Sequence, residues 1–134
     1  FRWVTCASPD YLREYGVPPS PEALSQHRAV HYFSGQARRA DEFRFVRHGE
    51  TFSVPVSGNA AVNETGLYIK MCLAGFGLAQ LAENIVADHL QEGRLVEVLT
   101  DWQPPPVPVT LLYPHQRFLS PAVRAFAEWM SEVV

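Results

Sequence analysis

Apolar and polar positions change rhythm several times along the chain, and each change marks an element. Trp3, Val4, Thr5 and Cys6 make Arg2–Ala7 an aromatic and β-branched run that reads as a strand. Ser8-Pro9 sets a capping hydroxyl before a proline at the first helical position, so a short helix is predicted over Pro9–Tyr15, closed by Gly16. Val17-Pro18-Pro19 is a stiff link, and Ser20-Pro21-Glu22 opens a second short helix ending near Gln26. Ala29–Phe33 is the next strand, and a polar loop over residues 34–40 holds Arg38 and Arg39. Phe43 and Phe45 alternate with Arg44 and Val46. After His48-Gly49 the alternation resumes at Phe52, Val54 and Val56, which predicts a hairpin with one buried face.

The stretch from Ser57 to Ala82 organises the rest as a strand end, a helix and a second strand. Asn63 is the predicted N-cap of a helix running from about Glu64 to Ala74, with Gly75 as its left-handed stop. Leu67, Met71 and Ala74 share one face, flanked by Tyr68 and Cys72, while Ile69 and Leu73 lie on another. Only Glu64 and Lys70 are charged, so this helix is expected to be covered on more than one side. Gly77–Ala82 has the look of a buried parallel strand. A helix over Asn84–Gln91, stopped at Gly93, and a strand over Leu95–Leu99 follow. Asp101-Trp102-Gln103-Pro104-Pro105-Pro106 then breaks the pattern as a linker or hinge. Beyond it come a strand over Val107–Tyr113 and a helix capped by Ser120-Pro121, whose apolar face is Val123, Phe126, Ala127, Met130, Val133 and Val134.

A strand–helix–strand unit puts the free amides of a helix N-terminus at the rim of a sheet, where open α/β sheets take ligands. Asn63-Glu64-Thr65 fits that position, and it equally fits a plain helix cap. Gly75-Phe76-Gly77 is not a dinucleotide loop, because its glycines precede a strand and no third glycine stands at position 80.

Composition narrows the function. A chain of 134 residues is one domain, or one lobe with part of another. At 47% hydrophobic and 19% charged residues it belongs with globular proteins, and no apolar run approaches a membrane span. The net charge of −3, with no basic run beyond Arg38-Arg39, offers no nucleic-acid footprint. Those two arginines could face an anion across a cleft, although loop arginines are usually solvated. Cys6 and Cys72 read as buried thiols. No signal peptide is visible, and a start at Phe1 inside a strand-like run leads to the expectation of a piece of a longer protein. The five histidines are scattered along the chain and the cysteines form no Cys-x-x-Cys pair, so no metal site is expected. No nucleophile elbow, phosphate loop or deaminase signature is present; no catalytic residue, no cofactor and no enzyme activity are expected.

Several short runs, in order and across nearly the whole chain, carry a family resemblance. They are Val4-Thr5-Cys6-Ala7-Ser8-Pro9-Asp10-Tyr11-Leu12, Gly16-Val17-Pro18, Pro21-Glu22-Ala23-Leu24, Val54-Pro55-Val56-Ser57-Gly58 and Val62-Asn63-Glu64. Leu73-Ala74-Gly75-Phe76-Gly77-Leu78-Ala79, Gly93-Arg94-Leu95-Val96, Leu99-Thr100-Asp101-Trp102 and Leu119-Ser120-Pro121-Ala122-Val123-Arg124-Ala125-Phe126 continue it. Together they resemble the effector-binding domain of LysR-type transcriptional regulators, in its C-terminal portion. One departure is Leu81-Ala82-Glu83, where the family often has Leu-Pro.

The resemblance implies an α/β fold similar to type 2 periplasmic binding proteins, two lobes joined by two crossover strands around a cleft. Arg2–Ala7 would be the first crossover, about 5–98 the second lobe, 99–106 the hinge and 107–134 the return to the first lobe. It implies an effector-sensing module of a bacterial, cytoplasmic transcription regulator, with a small-molecule effector between the lobes. It further implies homo-oligomers (a dimer, and a tetramer for the full-length protein), no membrane, and DNA contact only through an N-terminal winged helix-turn-helix outside this chain. By the same resemblance the effector site holds Asn63, Glu64 and Thr65, with Phe33 and Ser34 from the neighbouring strand. A solute-binding protein of the same fold, associated with transport, is the alternative.

Overall fold

The computed structural model describes residues 2–33, 42–106, 125–126 and 128–130. Its centre is β1 (Trp3–Ala7), flanked antiparallel by β6 (Ala79–Ala82) and β7 (Val96–Val98). Alternation along β1 divides the interior in two. Val4 and Cys6 enter a core with Val30, Val62, Tyr68, Cys72, Leu81, Val86 and Leu95. Ala7 enters another with Tyr11, Leu24, Phe43, Phe45, Leu78, Val98 and Leu99.

Two further strand pairs pack around that sheet. β2 (Arg28–Tyr32) and β5 (Ser57–Val62) run parallel, with Val30 opposite Ala60 and Tyr32 opposite Val62. β3 (Phe43–Arg47) and β4 (Glu50–Val54) form the predicted hairpin. Its two turn residues, His48 at φ 53° and Gly49 at φ 78°, both take the left-handed region, as a tight two-residue hairpin turn requires. Leu78 stitches the parallel pair to the start of β6: its N–H donates to the Arg28 carbonyl and its own carbonyl accepts from Val30, both at 2.9 Å. The approach is close because Gly77 has no side chain; a Cβ there would lie 2.8 Å from the Arg28 carbonyl oxygen.

α1 (Pro9–Tyr15) matches the sequence expectation to the residue. Ser8 Oγ accepts from the Tyr11 N–H at 3.2 Å, and Gly16, at φ 83°, donates to the Leu12 carbonyl. The second short helix is a 3-10 turn, Pro21–Gln26. α2 (Thr65–Leu73) and α3 (Glu83–Gln91) complete the described helices, apart from helical residues at 125–126 and 128–130.

Three expectations change. The cap of α2 is Glu64 rather than Asn63, because a carboxylate one residue closer reaches two amides at once. The buried face of α2 is Tyr68 and Cys72, with Ile69, Met71 and Leu73 partly covered, whereas Leu67 and Ala74 are exposed. β6 is antiparallel to β1, and within the run Gly77–Ala82 it is Leu78 that makes a parallel bridge, to Ala29. At the departure noted above, β6 turns directly into α3 through Ala82, which has no side chain able to cap. The expected loop with Arg38 and Arg39, the strand over Val107–Tyr113 and the Ser120-Pro121 cap lie outside the described residues.

Candidate functional site

The parallel register of β2 and β5 brings their carboxyl ends to one edge. Phe33, just past β2, donates its N–H to the Val62 carbonyl at 2.8 Å, so the strand ends are held side by side. Two residues separate Val62 from α2, which places Asn63, Glu64 and Thr65 at the same edge. All three are exposed and Phe33 is half-buried. Ser34 lies outside the described residues.

Glu64 defines the electrostatics of this edge. Its Oε1 accepts from the Gly66 N–H at 2.8 Å and its Oε2 from the Leu67 N–H at 2.7 Å. Those two bonds, with a smaller attraction from Lys70, hold the carboxyl below the usual carboxylate range. Gly66 makes room for it, since a Cβ there would come within 2.9 Å of Oε1. The positive end of α2 is therefore matched by a charge of its own chain.

Behind the edge stands an aromatic pair that sequence reading missed. Tyr32, the last residue of β2, meets Tyr68 of α2 edge-to-face, with centroids 5.3 Å apart and planes at 82°. Tyr68 N–H donates to the Glu64 carbonyl, which ties the pair to the cap. The available signal was modest: Tyr32 precedes Phe33, and Tyr68 sits one helical turn from Glu64. Deeper in the same core, the Cys72 thiol contacts the Cys6 carbonyl at 3.8 Å. Both thiols are free and buried; a hydrogen bond with Cys6, then burial, push Cys72 well above the ordinary thiol range. Among the described residues no group of three His, Cys, Asp or Glu side chains is placed to hold a metal ion. No described helix is long and apolar enough to cross a membrane.

The chain shares its family and fold with known proteins. The family model described as LysR substrate binding domain matches residues 1–134. The chain is 34% identical over 131 residues to an uncharacterised HTH-type transcriptional regulator of Escherichia coli, covering 98% of this chain and 44% of the relative. It is 36% identical over 127 residues to an HTH-type transcriptional repressor of Pseudomonas aeruginosa, covering 95% of this chain and 40% of the relative. It thus spans about two fifths of the length of these curated relatives. In fold it resembles the regulatory domain of AphB in Vibrio vulnificus, with a TM-score of 0.68 at 23% identity, over 99% of this chain and 65% of that one.

Proposed function

The chain belongs to the LysR substrate-binding domain family, and from that premise we propose that it senses a small molecule at the edge formed by Phe33, Asn63, Glu64 and Thr65, for a DNA-binding regulator. It is part of the effector-binding domain of a LysR-type transcriptional regulator, with the type 2 periplasmic-binding-protein-like α/β fold. The matched relatives are transcriptional regulators, which sets the transport alternative aside.

Residues 5–98 are the second lobe, 99–106 the hinge and 107–134 the return to the first lobe. The effector lies between the lobes, and DNA is reached through an N-terminal winged helix-turn-helix in the bacterial cytoplasm. One observation carries the site: the carboxyl ends of two parallel strands and the start of α2 meet at a single edge. Because Glu64 already occupies the Gly66 and Leu67 amides, the ligand group nearest to it is a hydroxyl or a cation rather than a second carboxylate. An effector acts by binding two lobe arrangements with different affinity, not by binding alone. Exposed Leu67 and Phe76 are apolar surface of the sort a second copy covers, in keeping with a homo-oligomer. Strict monomers of the full-length protein in sedimentation would contradict that assembly.

The test is a thermal-shift screen of the full-length regulator against a metabolite library, with each hit repeated on Thr65→Ala. The expected result is a hit whose affinity falls by about 0.5–1.5 kcal/mol in the variant, the worth of one neutral hydrogen bond. An unchanged response in Thr65→Ala, Asn63→Ala and Glu64→Gln alike would reduce the three residues to a helix start.

A further inference from the structure

We propose that the β3–β4 hairpin is a clasp that holds both chain segments joining the lobes, the entering strand β1 and the leaving segment 99–106, at a fixed relation to each other; this rests on the two-lobe reading above. The hairpin presents the backbone of alternate residues on the outer edge of β3. Arg44 turns both its N–H and its carbonyl to the side chain of Gln80: the N–H donates to Oε1 and the carbonyl accepts from Nε2, each at 3.0 Å. The same Nε2 donates to Thr5 Oγ1 on β1 at 3.1 Å, directly across the β1–β6 ladder. Two residues further along β3, the Val46 N–H donates to the Gln103 carbonyl of the leaving segment at 2.9 Å.

The apolar contacts follow the same division. Phe43 and Phe45 are buried in one core with Ala7 at the end of β1, with Val98 at the end of β7 and with Leu99 at the start of the leaving segment. Phe52, Val54 and Trp102 close over it. Arg47, lying 4.9 Å over the Phe52 ring and 2.6 Å from Glu22, fixes the tip of the hairpin against the 3-10 turn. One edge strand therefore grips the way in through Gln80 and Thr5, and the way out through Gln103. With both segments held, the hinge is confined to what lies beyond Gln103, the run Pro104-Pro105-Pro106. Proline adds its own stiffness there, since its ring fixes φ.

The experiment measures the distance between spin labels in the full-length regulator, placed at Asp88→Cys on α3 and Glu128→Cys in the return segment. Both positions are exposed, while Cys6 and Cys72 are buried and stay in place. Dilution with unlabelled protein restricts the signal to one chain. Gln80→Leu removes the three bonds of the amide and is expected to broaden the distance distribution. Thr5→Val is isosteric, cuts only the Gln80–Thr5 bond and is expected to broaden it less; it carries the test if Gln80→Leu fails to fold. Glycine at 104, 105 and 106 is the control and broadens the distribution whether or not the clasp exists. Broadening by glycine but by neither Thr5→Val nor Gln80→Leu overturns the clasp and leaves the two lobes standing. No broadening in any variant overturns the two-lobe reading and the clasp with it.

Discussion

The Tyr68 hydroxyl accepts the Gln80 N–H at 2.9 Å, joining α2 to β6 through a tyrosine whose ring also braces Tyr32 behind the candidate site. Tyr68→Phe keeps the ring and strips the acceptor. The expected loss is about 1 kcal/mol of unfolding free energy, read as a lower urea midpoint at unchanged slope. A midpoint equal to that of the parent would mean that water replaces the hydroxyl.

Glu64 and Asn63 separate cleanly by substitution. Glu64→Ala frees the Gly66 and Leu67 amides, so their hydrogen exchange accelerates while that of β1 stays unchanged. Asn63→Ala leaves both amides protected. The reverse pattern would restore Asn63 as the cap.

Acid weakens the fold in two steps. His27 is buried against Tyr11, whose hydroxyl lies 2.8 Å from Nδ1 and accepts the Arg28 N–H at 3.0 Å. Burial lowers its pKa, so on acidification the unfolded chain takes the proton first. Stability then falls as pH drops below about 6.5 and levels off below the folded pKa. Glu22 is held at about 2, chiefly by its hydrogen-bonded pair with Arg47. That contribution is full above the ordinary glutamate pKa of about 4.5 and is lost as pH falls towards 2. Melting temperatures against pH should lose the upper step in His27→Gln and the lower one in Glu22→Gln.

The two thiols should be silent in the folded protein. Both are buried, so Cys6 and Cys72 react with a thiol reagent at the rate of unfolding, and two equivalents appear only in denaturant. Rapid labelling of either one in buffer would contradict this.

What could be read beforehand was whatever local chemistry decides. α1 is enclosed between Ser8 and Gly16, and the hairpin is announced by alternation around His48-Gly49, so both were legible in full. The family runs carried the fold class as well. What tertiary packing decides was not legible. α2 is apolar nearly all round, so its pattern does not say that Tyr68 and Cys72 face inward and Leu67 outward. A four-residue apolar strand has the same composition in either direction, and only its ladder with β1 makes β6 antiparallel. At the candidate site the loop was legible, but the Tyr32–Tyr68 pair behind it joins residues 36 positions apart.

The grip of Gln80 and Gln103 on β3 also bears on aggregation. Unpaired strand edges invite other chains to add to them, and natural sheets blunt such edges. Here the outward backbone groups of Arg44 and the Val46 N–H are already taken by residues of the same chain. A substitution that loosens Gln80 thus uncovers a strand edge next to Phe43 and Phe45, and its first visible sign in a concentrated sample would be turbidity.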